Sequence, residues 1–297
     1  MNPKTLLSRR SLLRSTLAIG LSTTAGCSGA GSPQRTETDS RVRTAPVVQR
    51  IAYESAEMVV TLREAHDVSQ LNLIAPDGSL FAQTPVATGA TSARIQILDI
   101  KPGIGGYEHY EPGRYELVAI QESGSQSITL ELRPNVQIVD IRQYLEGEKA
   151  VDLGNLVITV ENIGTAPTWI YDITYREAPN TAVNRPLVEG AGVPQITVPK
   201  SAENLILAPH QKRRYVGSTS PLLLANQKRQ NCNESVSMDV IVGVAAGAPL
   251  QERIVVMFGG EAHSAGLLGE YVCSDISVVV TENSNLESSK QRKRGAL

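Results

Sequence analysis

From Val47 onward apolar residues recur at every second position, the period of strands with one face buried. Ile128, Leu130 and Leu132 alternate with Thr129, Glu131 and Arg133, and similar runs occupy Glu57 to Leu62, Ser69 to Ala75, Ser79 to Pro85, Ser92 to Ile100 and Arg114 to Gln121. Pro76-Asp77-Gly78 separates two of them, a combination that presets a tight turn. Short strands punctuated by turns predict an antiparallel β-sandwich over residues 47–134, ended by Pro134, which has no N–H to give a central ladder. A second sandwich is predicted over 135–283. Its strands are Val136 to Arg142, Leu156 to Glu161, Pro167 to Arg176, Asn204 to Leu207, Arg213 to Ser218, Ser235 to Ala245, Gln251 to Phe258 and Glu270 to Thr281. Trp169, Tyr171, Ile173 and Tyr175 are expected on one face, with Asp172, Thr174 and Arg176 on the other. Ala178 to Pro199, rich in Pro, Gly, Asn and Ala, reads as a long excursion between strands. Ser220 to Gln230 is the one stretch compatible with a short helix. The chain is therefore expected to be all-β, with two tandem antiparallel sandwiches.

Two segments carry resemblances. Glu111-Pro112-Gly113-Arg114-Tyr115-Glu116-Leu117 resembles the start of the penultimate strand of immunoglobulin-like or fibronectin-like domains. There a Tyr at the sheet corner buries its ring and bonds its hydroxyl to nearby backbone, which makes Tyr115 the expected residue. Asn155 to Ala166 (Asn-Leu-Val-Ile-Thr-Val-Glu-Asn-Ile-Gly-Thr-Ala) resembles the strand-turn opening of CARDB-type sandwich modules found on bacterial and archaeal surfaces. The likeness implies a fold and no particular activity.

The first 27 residues hold Lys4, Arg9, Arg10 and Arg14 without an acid, then a mildly apolar stretch from Ser15 to Ala25 and Gly26-Cys27. That order is the charged, apolar and small-residue pattern of an export signal, too short to span a bilayer. Ser8-Arg9-Arg10-Ser11-Leu12-Leu13-Arg14 resembles the twin-arginine motif, whose cargo crosses already folded. Thr24-Ala25-Gly26-Cys27 resembles a lipobox, which implies a diacylglyceryl group on Cys27. Such boxes with Thr in the first place are common in twin-arginine lipoproteins of halophilic archaea, and twenty of the 28 basic residues being Arg fits that source. Two acyl chains, at about 0.8 kcal/mol per buried methylene, anchor durably without a membrane helix. Residues 28–46, rich in Ser, Gly, Thr and charge, read as a flexible tether with a reach of about 25 Å. Residues 284–297, with Lys290, Arg292, Lys293 and Arg294, read as a basic disordered tail.

Composition narrows the chemistry. A net charge of -2 argues against a nucleic-acid partner. Four His and three Cys leave little for a metal centre, and no cofactor is expected. Gly-x-Ser-x-Gly, Walker, His-Glu-x-x-His and EF-hand patterns are absent, so no catalytic residues are assigned. With Cys27 given to lipid, Cys232 and Cys273 are the remaining pair. Either they form a disulfide, worth about 3 to 4 kcal/mol for a loop of about forty residues, or they stay as separate thiols. Asn233-Glu234-Ser235 is the one N-glycosylation triplet. Lys101 to Gly106 reads as a loop, followed by Tyr107, His109 and Tyr110, whose rings can stack on a sugar or face a cation from a sandwich end. Glu261, His263 and Glu270 are expected in a Gly-rich solvated loop.

The chain as a whole resembles haloarchaeal surface lipoproteins carrying immunoglobulin-like sandwiches. That implies a location on the outer face of the cell membrane and a non-catalytic binding, adhesion or envelope-scaffold role toward a surface protein or glycan. An accessory subunit of a membrane transport, secretion or redox complex is the second expectation, and a surface hydrolase a third.

Overall fold

Alternating apolar positions do become strands, in two sets that share no ladder. The computed structural model describes residues 47–100, 108–187, 194–225, 231–265 and 269–281. The first set is β1 (Val48–Glu54), β2 (Glu57–Leu62), β3 (Val68–Ile74), β4 (Leu80–Pro85), β5 (Ser92–Gln96), β6 (Leu98–Asp99), β7 (Glu108–His109), β8 (Gly113–Gln121) and β9 (Gly124–Leu132). Sheet β1-β2-β5 lies against sheet β4-β3-β8-β9, with β6 and β7 as a separate pair, and every ladder is antiparallel. Met58, Val60, Leu71, Leu73, Ile95, Tyr115 and Leu117 fill the space between. The Tyr115 hydroxyl donates to the Glu111 carbonyl at 3.0 Å and accepts from the Glu111 N–H at 3.2 Å, the corner expected from the sequence.

The second set is β10 (Val136–Gln143), β11 (Leu156–Asn162), β12 (Thr168–Arg176), β13 (Ile196–Val198), β14 (Ile206–Leu207), β15 (Lys212–Gly217), β16 (Ser235–Val244), β17 (Leu250–Ser264) and β18 (Tyr271–Val280). Sheet β10-β11-β15-β13 faces sheet β14-β12-β16-β17-β18. The chain is all-β and antiparallel, and its helical turns among the described residues are three short 3-10 segments. Buried residues of both sets belong to one continuous apolar cluster.

Three sequence expectations are corrected here. β12 is buried on both faces from Thr168 to Tyr175, because Arg185 and Leu187 of the excursion after it cover the face that carries Asp172, and a register shift between Ile170 and Asp172 puts Ile170 rather than Trp169 on the face of Ile173 and Tyr175. Glu261 and His263 stand on β17, which runs through Gly259 and Gly260 by means of a register shift. Gly260 takes φ +73°, a conformation open to Gly at no steric cost. The described part of Ser220 to Gln230 forms turns and a bridge from Leu224 to Tyr271 rather than a helix.

Candidate functional site

Among the described residues a buried polar network lies where the two strand sets meet, and Asn162 organises it. Asn162 ends β11 fully buried, so each of its polar atoms needs a partner. Its side-chain amide donates to the carbonyls of Ala166 (2.9 Å) and Leu207 (3.1 Å), and its Oδ1 accepts from the N–H of Asn135 (3.1 Å) and Gly164 (3.0 Å). Its own N–H donates to Gln211, and its carbonyl accepts from His210. The turn it holds reaches back to the connecting segment: Ile163 N–H donates to Asn135, Thr165 N–H to Arg133, and the Thr165 hydroxyl to Glu131 at 2.6 Å. Gly164 is required by proximity, since a Cβ there would lie 2.3 Å from the Asn135 nitrogen and 2.4 Å from the Arg133 oxygen.

Tyr110 and His109 join the same seam. The Tyr110 side chain is fully buried and its hydroxyl donates to the Pro167 carbonyl at 2.6 Å, while burial raises its pKa well above the usual phenol range. His109 packs edge-on against Trp169, ring centroids 5.7 Å apart, with Nδ1 2.9 Å from the Tyr110 carbonyl oxygen. The expectation of Tyr110 as a ligand-facing loop residue is corrected: its ring and hydroxyl are spent on packing β12 against the first strand set. Tyr107 lies outside the described residues.

Beside this seam an open groove of about 260 Å³ is bounded by Glu54, Glu57, Gln96 and Asp99 from the first set and by Glu203 and Ile206 from the second. Arg94 bridges Glu54 (2.5 Å) and Glu57 (3.0 Å), two of the groove's lining residues, in exposed pairs that solvent screens. Among the described residues no group of three or more His, Cys, Asp or Glu side chains is arranged to hold a metal ion.

A second polar cluster lies under the excursion. Asp172 is 1% exposed and receives both arms of Arg185, Nη1 to Oδ2 and Nη2 to Oδ1 at 2.7 Å each. This fork geometry matches guanidinium to carboxylate, and it raises the Arg185 pKa further. The Tyr175 hydroxyl is also buried, and desolvation pushes its pKa up.

The remaining expected residues fall at the pole of the second set away from the seam. Cys232 and Cys273 form a disulfide with Cα atoms 5.7 Å apart, joining the segment before β16 to β18. Asn233 follows it, exposed on a bend. At the opposite pole, Val47 donates its N–H to the Gln126 side chain and accepts from Arg63, near the β8–β9 turn. Strand direction thus puts Val47 and Asn233 at opposite ends of the 47–281 body, because β9 runs from Gln126 to the seam and β16 runs from Ser235 toward it. Arg9, Arg10, Cys27 and the basic tail residues lie outside the described residues.

Sequence reasoning missed the role of Asn162 and the pairing of Arg185 with Asp172. The Asn-x-Gly-Thr turn after a strand was a readable signal for the first. Nothing local signals the second, which links a strand to a loop thirteen residues on.

No protein-family model matches the chain, and no curated protein sequence matches it. Among solved structures, a crystal structure of a Salmonella alpha-2-macroglobulin mutant aligns over 77% of this chain and 17% of its own, with 11% identity and a TM-score of 0.18.

Proposed function

We propose that this chain is a lipid-anchored protein of the outer cell surface with a non-catalytic binding, adhesion or envelope-scaffold role, its strand sets being immunoglobulin-like sandwiches. The observation that carries the reading is the polarity of the body: the segment from Cys27 joins it at Val47, at the end remote from the seam. The buried contacts of Asn162, Tyr110 and Thr165 hold the two sandwiches together as one unit on that anchor. The disulfide suits an oxidising exterior. The twin-arginine and lipobox resemblances at Arg9, Arg10 and Cys27 supply the route and the anchor.

The test is Cys27→Ser with fractionation of cells and medium. Release of folded protein into the medium supports the proposal, and retention at the membrane contradicts it. The second reading, an accessory subunit held beside a membrane complex, is favoured by one feature. Met257 and Val279, 44% and 49% exposed, are diagonal neighbours on one face of β17 and β18, Met257 opposite Ser277 and Val279 opposite Val255. Stoichiometric co-purification with a membrane complex after gentle solubilisation would favour that reading.

A further inference from the structure

The structure points to Asn233 as a site of covalent modification: we propose that its side-chain amide carries an N-linked oligosaccharide at the pole of the second strand set away from the seam. The inference rests on the surface location proposed above, because the sugar donors for such transfer are handled at the membrane exterior.

Asn233-Glu234-Ser235 supplies the two groups that N-glycosylation needs, an acceptor amide and a hydroxyl two residues on. The fold adds what the triplet lacks. All three residues are exposed, although Cys232 on one side is buried and bonded to Cys273. The backbone around the triplet is fixed: the Asn233 N–H donates to Asn231 Oδ1 at 3.0 Å, the Asn231 side-chain amide to Glu234 at 2.8 Å, and the Phe258 N–H to the Glu234 carbonyl at 2.9 Å. Asn231 spends its side chain within the turn, whereas the Asn233 side chain makes no hydrogen bond among the described residues. A protein exported already folded offers an acceptor only on its folded surface, and this amide meets that condition. Asn155 and Asn162, by contrast, are buried.

The chemistry is a substitution without redox change. Asn233 Nδ2 forms a bond to the anomeric carbon of a sugar held on a polyprenyl phosphate or diphosphate. The carbon–oxygen bond to that phosphate breaks, the phosphate oxygen leaves with the electron pair, and the amide releases one proton. A membrane glycosyl-transferring enzyme performs the step, and this chain is its substrate.

The experiment takes full-length protein from native cells. Surface protein is first captured with a membrane-impermeant amine label, and the peptide spanning Gln230 to Arg253 is then weighed after reduction. The expected result is a mass increase in whole sugar units on that peptide, absent in Asn233→Gln and Ser235→Ala and restored in Ser235→Thr. Each variant is checked for the intact Cys232–Cys273 bond, so that a misfolded chain is not mistaken for an unmodified one. An unmodified peptide in the surface-labelled, disulfide-bonded wild type overturns the glycan and leaves the surface reading intact. Failure of the reagent to label the protein on intact cells overturns both. Sugar persisting on Ser235→Ala overturns the assignment to this triplet.

Discussion

Replacing Asn162 with Ala is the most informative perturbation of the body. The side chain makes four hydrogen bonds in a site without water access, two as donor and two as acceptor. A hydrogen bond contributes about 0.5 to 1.5 kcal/mol net, so four contribute roughly 2 to 6 kcal/mol, and the orphaned Leu207 and Ala166 carbonyls and the Asn135 and Gly164 N–H groups add desolvation cost. A destabilisation of about 4 kcal/mol is expected, large against the 5 to 15 kcal/mol of an ordinary domain. Guanidinium denaturation of the secreted Cys27→Ser form would be followed by two probes. Trp169, buried at the seam, reports there by fluorescence, and far-ultraviolet circular dichroism reports total strand content. The parent should unfold with coincident curves, because the buried residues of both strand sets form one continuous cluster. Asn162→Ala should lower the midpoint and separate the curves, fluorescence changing first as the strand sets come apart. Asn162→Asp should keep the two N–H bonds but set a carboxylate against two carbonyls, and so be no more stable than Ala. A loss under 1 kcal/mol with curves still coincident would refute the assignment of the seam to this residue.

Other outcomes follow from the same structure. Gly164→Ala should cost about 2 to 4 kcal/mol in the same denaturation assay, because its Cβ would displace backbone at Asn135 and Arg133 and break the two bonds from Ile163 and Thr165. Arg185→Met should cost about 3 to 5 kcal/mol by leaving the Asp172 carboxylate buried and unpaired, and Asp172→Asn in the same chain should recover part of it in a double-mutant cycle. In alkali, burial raises the Tyr53 pKa from 10.0 to about 12, with Tyr110, Tyr175 and Tyr215 also raised. The folded chain then holds phenolic protons that the unfolded chain releases, so this stabilisation is complete below about pH 10 and declines as pH rises toward 12 and beyond. Absorbance at phenolate wavelengths should lag behind that of free tyrosine and then rise with unfolding; titration of every Tyr near its ordinary value in folded protein would contradict it.

Alternation made most strands legible. β2 falls at Glu57–Leu62 as the pattern places it, and β16 begins at Ser235 as expected. The Tyr115 corner and the Cys232–Cys273 pair were legible too, one from a local motif and one from elimination among three Cys. β1 carries no clean alternation, because Gln49 and Arg50 are adjacent and Ile51, Ala52 and Tyr53 run consecutively. On β12 the polar residues Asp172 and Thr174 signalled solvent, yet Arg185 neutralises Asp172 and the excursion covers its face, a contact no local pattern encodes. Gly259-Gly260 read as a loop because Gly marks both loops and bulges, and only pairing with β18 distinguishes them. The aromatic segment around Tyr110 looked like a binding loop for a related reason: exposed and buried aromatics read alike until the partner surface at Pro167 and Trp169 is known. The groove edged by Glu54, Asp99 and Glu203 joins residues far apart in sequence and had no local signal.

The central claim, an anchor at Cys27 holding this body at the cell surface, is tested most directly by the N-terminal peptide of the protein isolated from native membranes. Its mass should correspond to a chain beginning at Cys27 with a diacylglyceryl thioether. A polypeptide recovered from the cytosol with Met1 to Gly26 still attached, and with Cys232 and Cys273 reduced, would contradict it.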